Sequence, residues 1–310
     1  MNNPRTVESA STQVMNRSAV GESSLLADIK SLIKVGIINS NLITTFAGFW
    51  LAVYFTGTSF FDHWQTFLMT MVGTAFIIAG GCIINNWYDR DIDVIMSRTK
   101  TRPTVTGTIA LSHIKVMGIV VSILGFILLL FTTLEAALFG AFGWFVYVVL
   151  YTMWSKRRYT INTVIGSFSG AVPPLIGWAA VDPNLQLEAL ILFLIMFIWQ
   201  PPHFLALAMK KKKEYAAAGI PMLPVVHGFK MTKRQIVVYV ACLLPLPIYL
   251  ASLGTAFLII SSLLTFGWLI IGLAGFAMKD DMKWATWMFV YSLLFLTILF
   301  PMMVVVTLPY

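Results

Sequence analysis

Charge is what this sequence has least of. Only 11% of its 310 residues are Asp, Glu, Lys or Arg, while 58% are hydrophobic. Soluble domains carry roughly 25% charged residues, so a water-facing surface of this size is excluded and the chain belongs in a bilayer. Cysteine is nearly absent: Cys82 and Cys242 both lie in apolar runs without metal-ligand spacing. That excludes a disulfide framework and a zinc site, and leaves both as small apolar residues. The alternating pattern of a membrane β-barrel is missing, because the apolar runs are continuous. No apolar core followed by small residues opens the chain, so the N-terminus is not read as a secretory signal.

What is present is a series of long apolar runs. Nine candidate spans can be marked, at 36–56, 64–84, 111–131, 134–154, 163–181, 188–209, 235–253, 256–277 and 284–307. Each is near the roughly 20 residues a bilayer requires, which predicts an all-α, polytopic membrane protein. All 21 Lys and Arg fall before span one or in the segments after spans two, four, six and eight. The intervening loops, "GTSFFDHW", "TTLE", "VDPNLQLE" and "SLGT", carry none. By the positive-inside rule the N-terminus is cytoplasmic and the C-terminus outside the cell membrane. The net charge of +8 then reflects orientation and attraction to anionic lipid rather than a nucleic-acid partner. Residues 1–23, rich in Ser, Asn and Thr, read as a disordered tail, and residues 24–310 as one membrane-embedded domain. Within "SLLADIKSLIK", residues 24–34, the residues Leu25, Leu26, Ile29, Leu32 and Ile33 share a face, which predicts an interfacial helix.

The scarce charges are concentrated. "NNWYDRDIDVIMSRTKTRP", residues 85–103, follows the second apolar run almost without a gap. If the helix continues past Asn85, then Asn85, Asp89 and Asp93 form one stripe at i, i+4 and i+8. Arg90 and Asp91 point elsewhere. Two carboxylates one turn apart with an amide oxygen suit a hard cation, above all Mg²⁺ completed by substrate phosphates. Arg98, Lys100 and Arg102 follow in position to contact the outer oxygens of a diphosphate. The plain alternative is a solvated helix end with i,i+4 ion pairs. The shared face argues against it, since ionisable residues at a membrane helix end are seldom spare.

Two more basic segments stand out. "WSKRRYTINTVIGSFSGAVPPLIGW", residues 154–178, places Lys156, Arg157 and Arg158 before a span thinned by Gly166, Gly170 and Gly177 and kinked by Pro173 and Pro174. Such a helix either packs closely on a neighbour or lines a cavity. "WQPPHFLALAMKKKKEYAAAGIPMLPVVHG", residues 199–228, holds Trp199, Gln200 and His203 inside the sixth span beside Pro201–Pro202. Polar groups there, next to a broken backbone ladder, point to a lined cavity. "AGIPMLP" reads as a semi-apolar, re-entrant loop after Glu214 and Tyr215.

"NNWYDRDIDVIMSRTKTRP" resembles the first aspartate-rich motif, N-x-x-x-D-x-x-x-D, of the UbiA-type intramembrane prenyltransferases. Together with "WQPPHF" and "AGIPMLP" it is similar to their haem-farnesylating branch, from about span one to span nine. The resemblance implies a nine-helix bundle around a central cavity open to the cytoplasmic side. It implies Mg²⁺ and the diphosphate of farnesyl diphosphate on Asn85, Asp89 and Asp93, assisted by Arg98, Lys100 and Arg102, with Lys156 and Arg157 as further diphosphate contacts. The acceptor it implies is haem B, converted to haem O, with His203 as the leading haem contact and haem A synthase as a further partner. One departure is plain: where the superfamily has a second D-x-x-x-D, this chain offers Glu214 with Tyr215, and Lys210 and Ala218 four residues either side. Two other readings are weighed: a prenyltransferase of the same superfamily acting on an aromatic quinone precursor, and a polytopic transporter. A quinone enzyme should show the second carboxylate pair. A transporter should hold its polar residues near the bilayer midplane, whereas these acids lie at the edge. Trp87, Tyr88, Trp199 and Tyr215 are the aromatic residues expected nearest the reacting carbons.

Overall fold

The computed structural model describes residues 25–308. Every regular element among them is helical. The long helices are α1 (Leu25–Ile33), α2 (Val35–Thr56), α3 (Trp64–Tyr88), α4 (Leu111–Leu130) and α5 (Leu134–Phe145). They continue with α6 (Asn162–Ala171), α7 (Pro173–Ala179), α8 (Leu187–Lys210), α9 (Gly228–Leu243), α10 (Thr255–Ala274) and α11 (Asp281–Val305). The expected tail, residues 1–23, lies outside the described residues.

Among the described residues, eight helices are long and apolar enough to cross a membrane. The difference from nine is the fifth span. It runs as α6 and α7, which meet at Val172. The cause is Pro173–Pro174: neither proline has an N–H to donate to the carbonyl one turn back, and each ring crowds that turn, although Val172 between the two pieces keeps helical φ −73° and ψ −32°. The broken pair packs closely on its neighbours. A β-carbon on Gly177 would lie 2.0 Å from the Thr45 carbonyl oxygen, and one on Gly48 would lie 2.1 Å from that of Pro174. α2 and α7 thus touch backbone to backbone, as small residues allow in membranes. A second glycine seam joins α3 to α4, with Gly73 and Gly80 facing Gly125 and Ser122.

α8 runs through the middle, packed on α6, α9 and α11. Its Trp199 and Gln200 are buried and satisfied: Trp199 Nε1 donates to the Ser292 carbonyl at 2.9 Å, and Gln200 Nε2 to the carbonyls of Ser167 and Met196 at 3.1 Å. Pro201 and Pro202 lie within α8, which continues to Lys210. Outward positions of the long helices keep apolar residues exposed, among them Ile123, Leu130, Leu263 and Ile270, the pattern of lipid-facing surface.

α1 differs in detail from expectation. Its inward face is Asp28 and Leu32, while Leu25 and Leu26 stay exposed. Leu32 packs with Ile83 and Ile114, and its carbonyl accepts from Asn86 Nδ2 at 2.9 Å. The helix is therefore pinned to α3 by its last turn. Cys82 and Cys242 are both free thiols.

Candidate active site

α3 ends at Tyr88, and Asp89 caps it with φ −86° and ψ 6° before the single turn Arg90–Asp93. The break does not spoil the register. Asp89 N–H donates to the Asn85 carbonyl and Asp93 N–H to the Asp89 carbonyl, both at 2.9 Å. Asn85, Asp89 and Asp93 are all buried, with 3%, 0% and 3% of their surfaces exposed. Buried carboxylates require partners, and each finds a cation from elsewhere in the chain.

Asp89 Oδ2 accepts from Lys156 Nζ, and from Asn85 Nδ2 at 2.7 Å. Arg157 reaches Asp89 Oδ1 at 3.4 Å. Arg102 pairs with Asp93 Oδ2 at 2.6 Å. Asn85 Nδ2 also donates to Thr152 Oγ1 at 3.0 Å, and Asn85 Oδ1 accepts from Lys34 Nζ at 2.5 Å. Burial pushes the Lys34 ammonium down to about 8, still charged at neutral pH.

The segment that supplies Thr152 and Lys156 is a π-helix, Val146–Ser155, continuing α5. In a π-helix residues five apart share a face. Thr152 Oγ1 accordingly donates to the Tyr147 carbonyl at 2.8 Å, and Lys156 N–H to that of Tyr151 at 2.9 Å. Such widened turns occur often at functional sites. Here one aims Tyr147, Tyr151, Thr152 and Lys156 toward the end of α3.

Arg90 and Asp91 do lie off the stripe. Arg90 donates to the Trp87 carbonyl at 3.0 Å. Both oxygens of Asp91 accept from the Arg157 fork at 2.7 Å. That fork holds the Asp91 carboxyl below its usual range. Arg157 also donates to the Tyr88 carbonyl at 3.2 Å. Asp91 therefore aims Arg157 at Asp89. Asp91→Ala should leave the stripe intact but release Arg157. We expect turnover to fall about tenfold, the scale of losing a supporting partner, with the KM for the anionic substrate raised. An unchanged KM would show that Arg157 does not contact that substrate.

The remaining expected residues divide. Arg98 and Lys100 are exposed. Arg98 and Arg102 line a cleft of about 340 Å³ with Ser31, Lys34, Gly36 and Ile37. Two of the cleft's cations bond the stripe: Lys34 to Asn85 and Arg102 to Asp93. Glu214 Oε1 accepts from Lys211 Nζ at 2.7 Å, and this bond, with Ser97 beside it, holds the carboxyl below its usual range. Tyr215, pushed above its usual range by burial, lies near Tyr151, Arg98 and Lys156. "AGIPMLP" is not re-entrant: Ile220 and Met222 pack on Ile92, between the two acids, with Tyr215 and Ala218 alongside. The second segment thus braces the first.

His203 lies on the α11 side of α8. Its ring is stacked between Trp199 and Phe289, with centroids 4.9 and 4.8 Å away, and Nδ1 is 2.7 Å from Ser292 Oγ. Among the expected aromatic residues, Trp87 packs under Lys115, and Tyr88 under Arg157. The rings beside the acids are instead Tyr147, 3.3 Å from Lys34 Nζ, and Tyr151, stacked on Tyr147 at 5.9 Å. Nothing in a linear reading marked these two, or Lys34 and Thr152. The only signal for Tyr147, Tyr151 and Thr152 was "YVVLYTMWS" preceding a basic triplet, and Lys34 had none.

The comparisons with known proteins bear on the family and the fold. The model of the UbiA prenyltransferase family matches residues 41–297. The protoheme IX farnesyltransferase of Geobacillus kaustophilus is 61% identical over 293 residues, covering 94% of this chain and 95% of that protein. The protoheme IX farnesyltransferase 2 of Bacillus subtilis is 59% identical over 303 residues, covering 96% and 99%. A solved UbiA homologue from Archaeoglobus fulgidus, bound to DMAPP and Mg²⁺, shares the fold with a TM-score of 0.63 at 15% identity, over 89% of this chain and 99% of that one. By family model and by relatives alike, the chain belongs to the UbiA prenyltransferase family.

Proposed function

We propose that this chain transfers the farnesyl group of farnesyl diphosphate to a vinyl carbon of haem B, with water addition giving haem O. The observation that carries the reading is the buried Asn85–Asp89–Asp93 stripe closed by Lys156, Arg157 and Arg102, in a chain about 60% identical to protoheme IX farnesyltransferases. In the bilayer the N-terminus faces the cytoplasm, α6 and α7 together supply a ninth crossing, and the site opens at the cytoplasmic edge.

The donor set fits Mg²⁺. Among the described residues no three His, Cys, Asp or Glu cluster to cage a metal by protein alone. Two carboxylates and an amide form a partial, all-oxygen shell, the kind Mg²⁺ completes with phosphate oxygens. Asp89 and Asp93 would hold the ion, with Asn85 beside them. Bound there, Mg²⁺ neutralises charge that develops on the diphosphate oxygens.

The chain's own cations do the rest. Lys156, Arg157 and Arg102 exchange carboxylate for phosphate oxygens, the two arginines through their planar forks. Arg98 and Lys100, exposed at the mouth, attract the anion. When the allylic C–O bond breaks, its electron pair leaves with the diphosphate, and these cations stabilise the growing charge. The allylic carbon then bonds a vinyl carbon of haem B, and the neighbouring carbon takes a water oxygen that sheds a proton. Burial of the stripe delays water until the first bond has formed. Tyr147 and Tyr151 supply ring faces beside the leaving group. His203 contacts haem through Nε2, since Ser292 engages Nδ1. A haem A synthase in the same membrane is the natural consumer of the product.

Membranes containing the protein, given haem B, farnesyl diphosphate and Mg²⁺, should form haem O, read by mass. Omitting the divalent cation should abolish it. If no haem O forms but an aromatic quinone precursor is prenylated, the acceptor assignment fails while the diphosphate site stands.

A further inference from the structure

One cation at the site belongs to no motif. Lys34 joins α1 to α2, and its ammonium reaches Asn85, 51 residues away. Its backbone has φ 55° and ψ 61°. It is the sole non-glycine residue with positive φ among those described. That left-handed conformation suits glycine and crowds any β-carbon. A lysine at such a joint points to a role for its side chain.

Its partners show what that role is. Lys156, Arg157 and Arg102 each bond a carboxylate. The two hydrogen bonds of Lys34 go to neutral groups, the Asn85 amide oxygen and the Tyr147 hydroxyl. Lys34 can therefore turn to an incoming anion without breaking a hydrogen-bonded ion pair. Among the described residues, the cleft it lines also contains Arg98, Arg102 and Ser31, and no carboxylate. Three cations and a hydroxyl around one small cleft suit an anion of high charge density, a diphosphate rather than a single carboxylate.

We propose that Lys34 is a further diphosphate-binding residue, which holds the Asn85 amide in orientation and then moves onto the diphosphate in the cleft shared with Arg98 and Arg102. The proposal rests on the diphosphate reading above. It adds that the α1–α2 joint is part of the site, so that α1, pinned to α3 through Leu32, carries one wall of it. While Lys34 holds Asn85 Oδ1, the amide presents Nδ2 to Asp89 and Thr152. A lysine that merely filled space would have no reason to fix this orientation.

The test uses the purified full-length chain and three probes: inorganic diphosphate with Mg²⁺, farnesyl diphosphate with Mg²⁺, and haem B. Lys34→Gly is the decisive variant, because glycine accepts the same backbone conformation without strain. Lys34→Met removes the charge and keeps the bulk, and Lys34→Arg keeps the charge. Lys34→Gly and Lys34→Met should bind both diphosphates at least about tenfold more weakly, as loss of a hydrogen bond to a charged group implies. Haem B affinity should not change, thermal stability of Lys34→Gly should equal or exceed the wild type, and Lys34→Arg should restore most of the binding. Diphosphate binding within threefold of wild type in both uncharged variants overturns the proposal. So does equal loss in Lys34→Arg and Lys34→Gly, which makes the residue a packing element, and so does loss of haem B affinity alone. Failure of the wild-type chain to bind either diphosphate would instead overturn the diphosphate reading itself.

Discussion

Asp89→Asn and Asp93→Asn proteins are expected to insert into the membrane at normal levels and to form no measurable haem O. Asparagine keeps the shape of each side chain, and its one oxygen can still accept from Lys156 or Arg102, so the shortest of the buried hydrogen bonds survive; at position 89 the new amide nitrogen faces Arg157, whose 3.4 Å contact is lost. What disappears is the negative charge that the proposed reading assigns to holding a divalent cation. We expect turnover to fall on the order of 10³-fold or more, the scale seen when a group stabilising developing charge is removed. The alanine variants should be equally inactive but less stable, because each strands a partly buried cation without its carboxylate. Haem O by mass, protein abundance in the membrane fraction, and Mg²⁺-dependent binding of inorganic diphosphate together separate the two effects. Wild-type rates in both asparagine variants would remove Asp89 and Asp93 from the metal site.

The second large effect is structural and lies far from the acids. Gly48→Val and Gly177→Val should each lose about 3 kcal/mol of stability, at the upper end of ordinary overpacking. At both positions the added carbon meets a carbonyl oxygen of the facing helix, at 2.1 and 2.0 Å. Backbone cannot rotate aside as a side chain can, so α2 and α7 must separate. The thermal midpoint in detergent should drop by roughly 5–10 °C for each. Both substitutions push apart the same pair of helices. The double variant should therefore cost clearly less than the sum of the singles. Full additivity would show that the two contacts yield independently.

Much of this was legible in one dimension because the bilayer makes local rules strict. Apolar runs of spanning length left little freedom in helical class or membrane residence. The Asn85–Asp89–Asp93 stripe was legible for a similar reason: i, i+4, i+8 spacing sets their relative angles, and the i→i−4 hydrogen bonds across the break at Asp89 keep that register. The break at Pro173–Pro174 was visible as a kink, yet its consequence for the span count was not. Whether two half-helices stay in line depends on the helix they lean against, here α2.

The partners of the stripe could not be read in advance. Lys34, Thr152 and Lys156 lie 51, 67 and 67 residues from the groups they bond, and nothing local encodes such distances. Asp91 pointed away from the acidic stripe by register, and only the fold shows that it aims Arg157. Tyr147 and Tyr151 were indistinguishable from other aromatics in apolar runs until the π-helix turned them inward. By itself, then, the sequence determined membrane residence, helical class and the acidic half of the site, because hydropathy and helical periodicity act over one element. Tertiary structure alone decided which cations face those acids and that a joint before α2 reaches them, because charge pairing in a low-dielectric interior is settled by proximity in space.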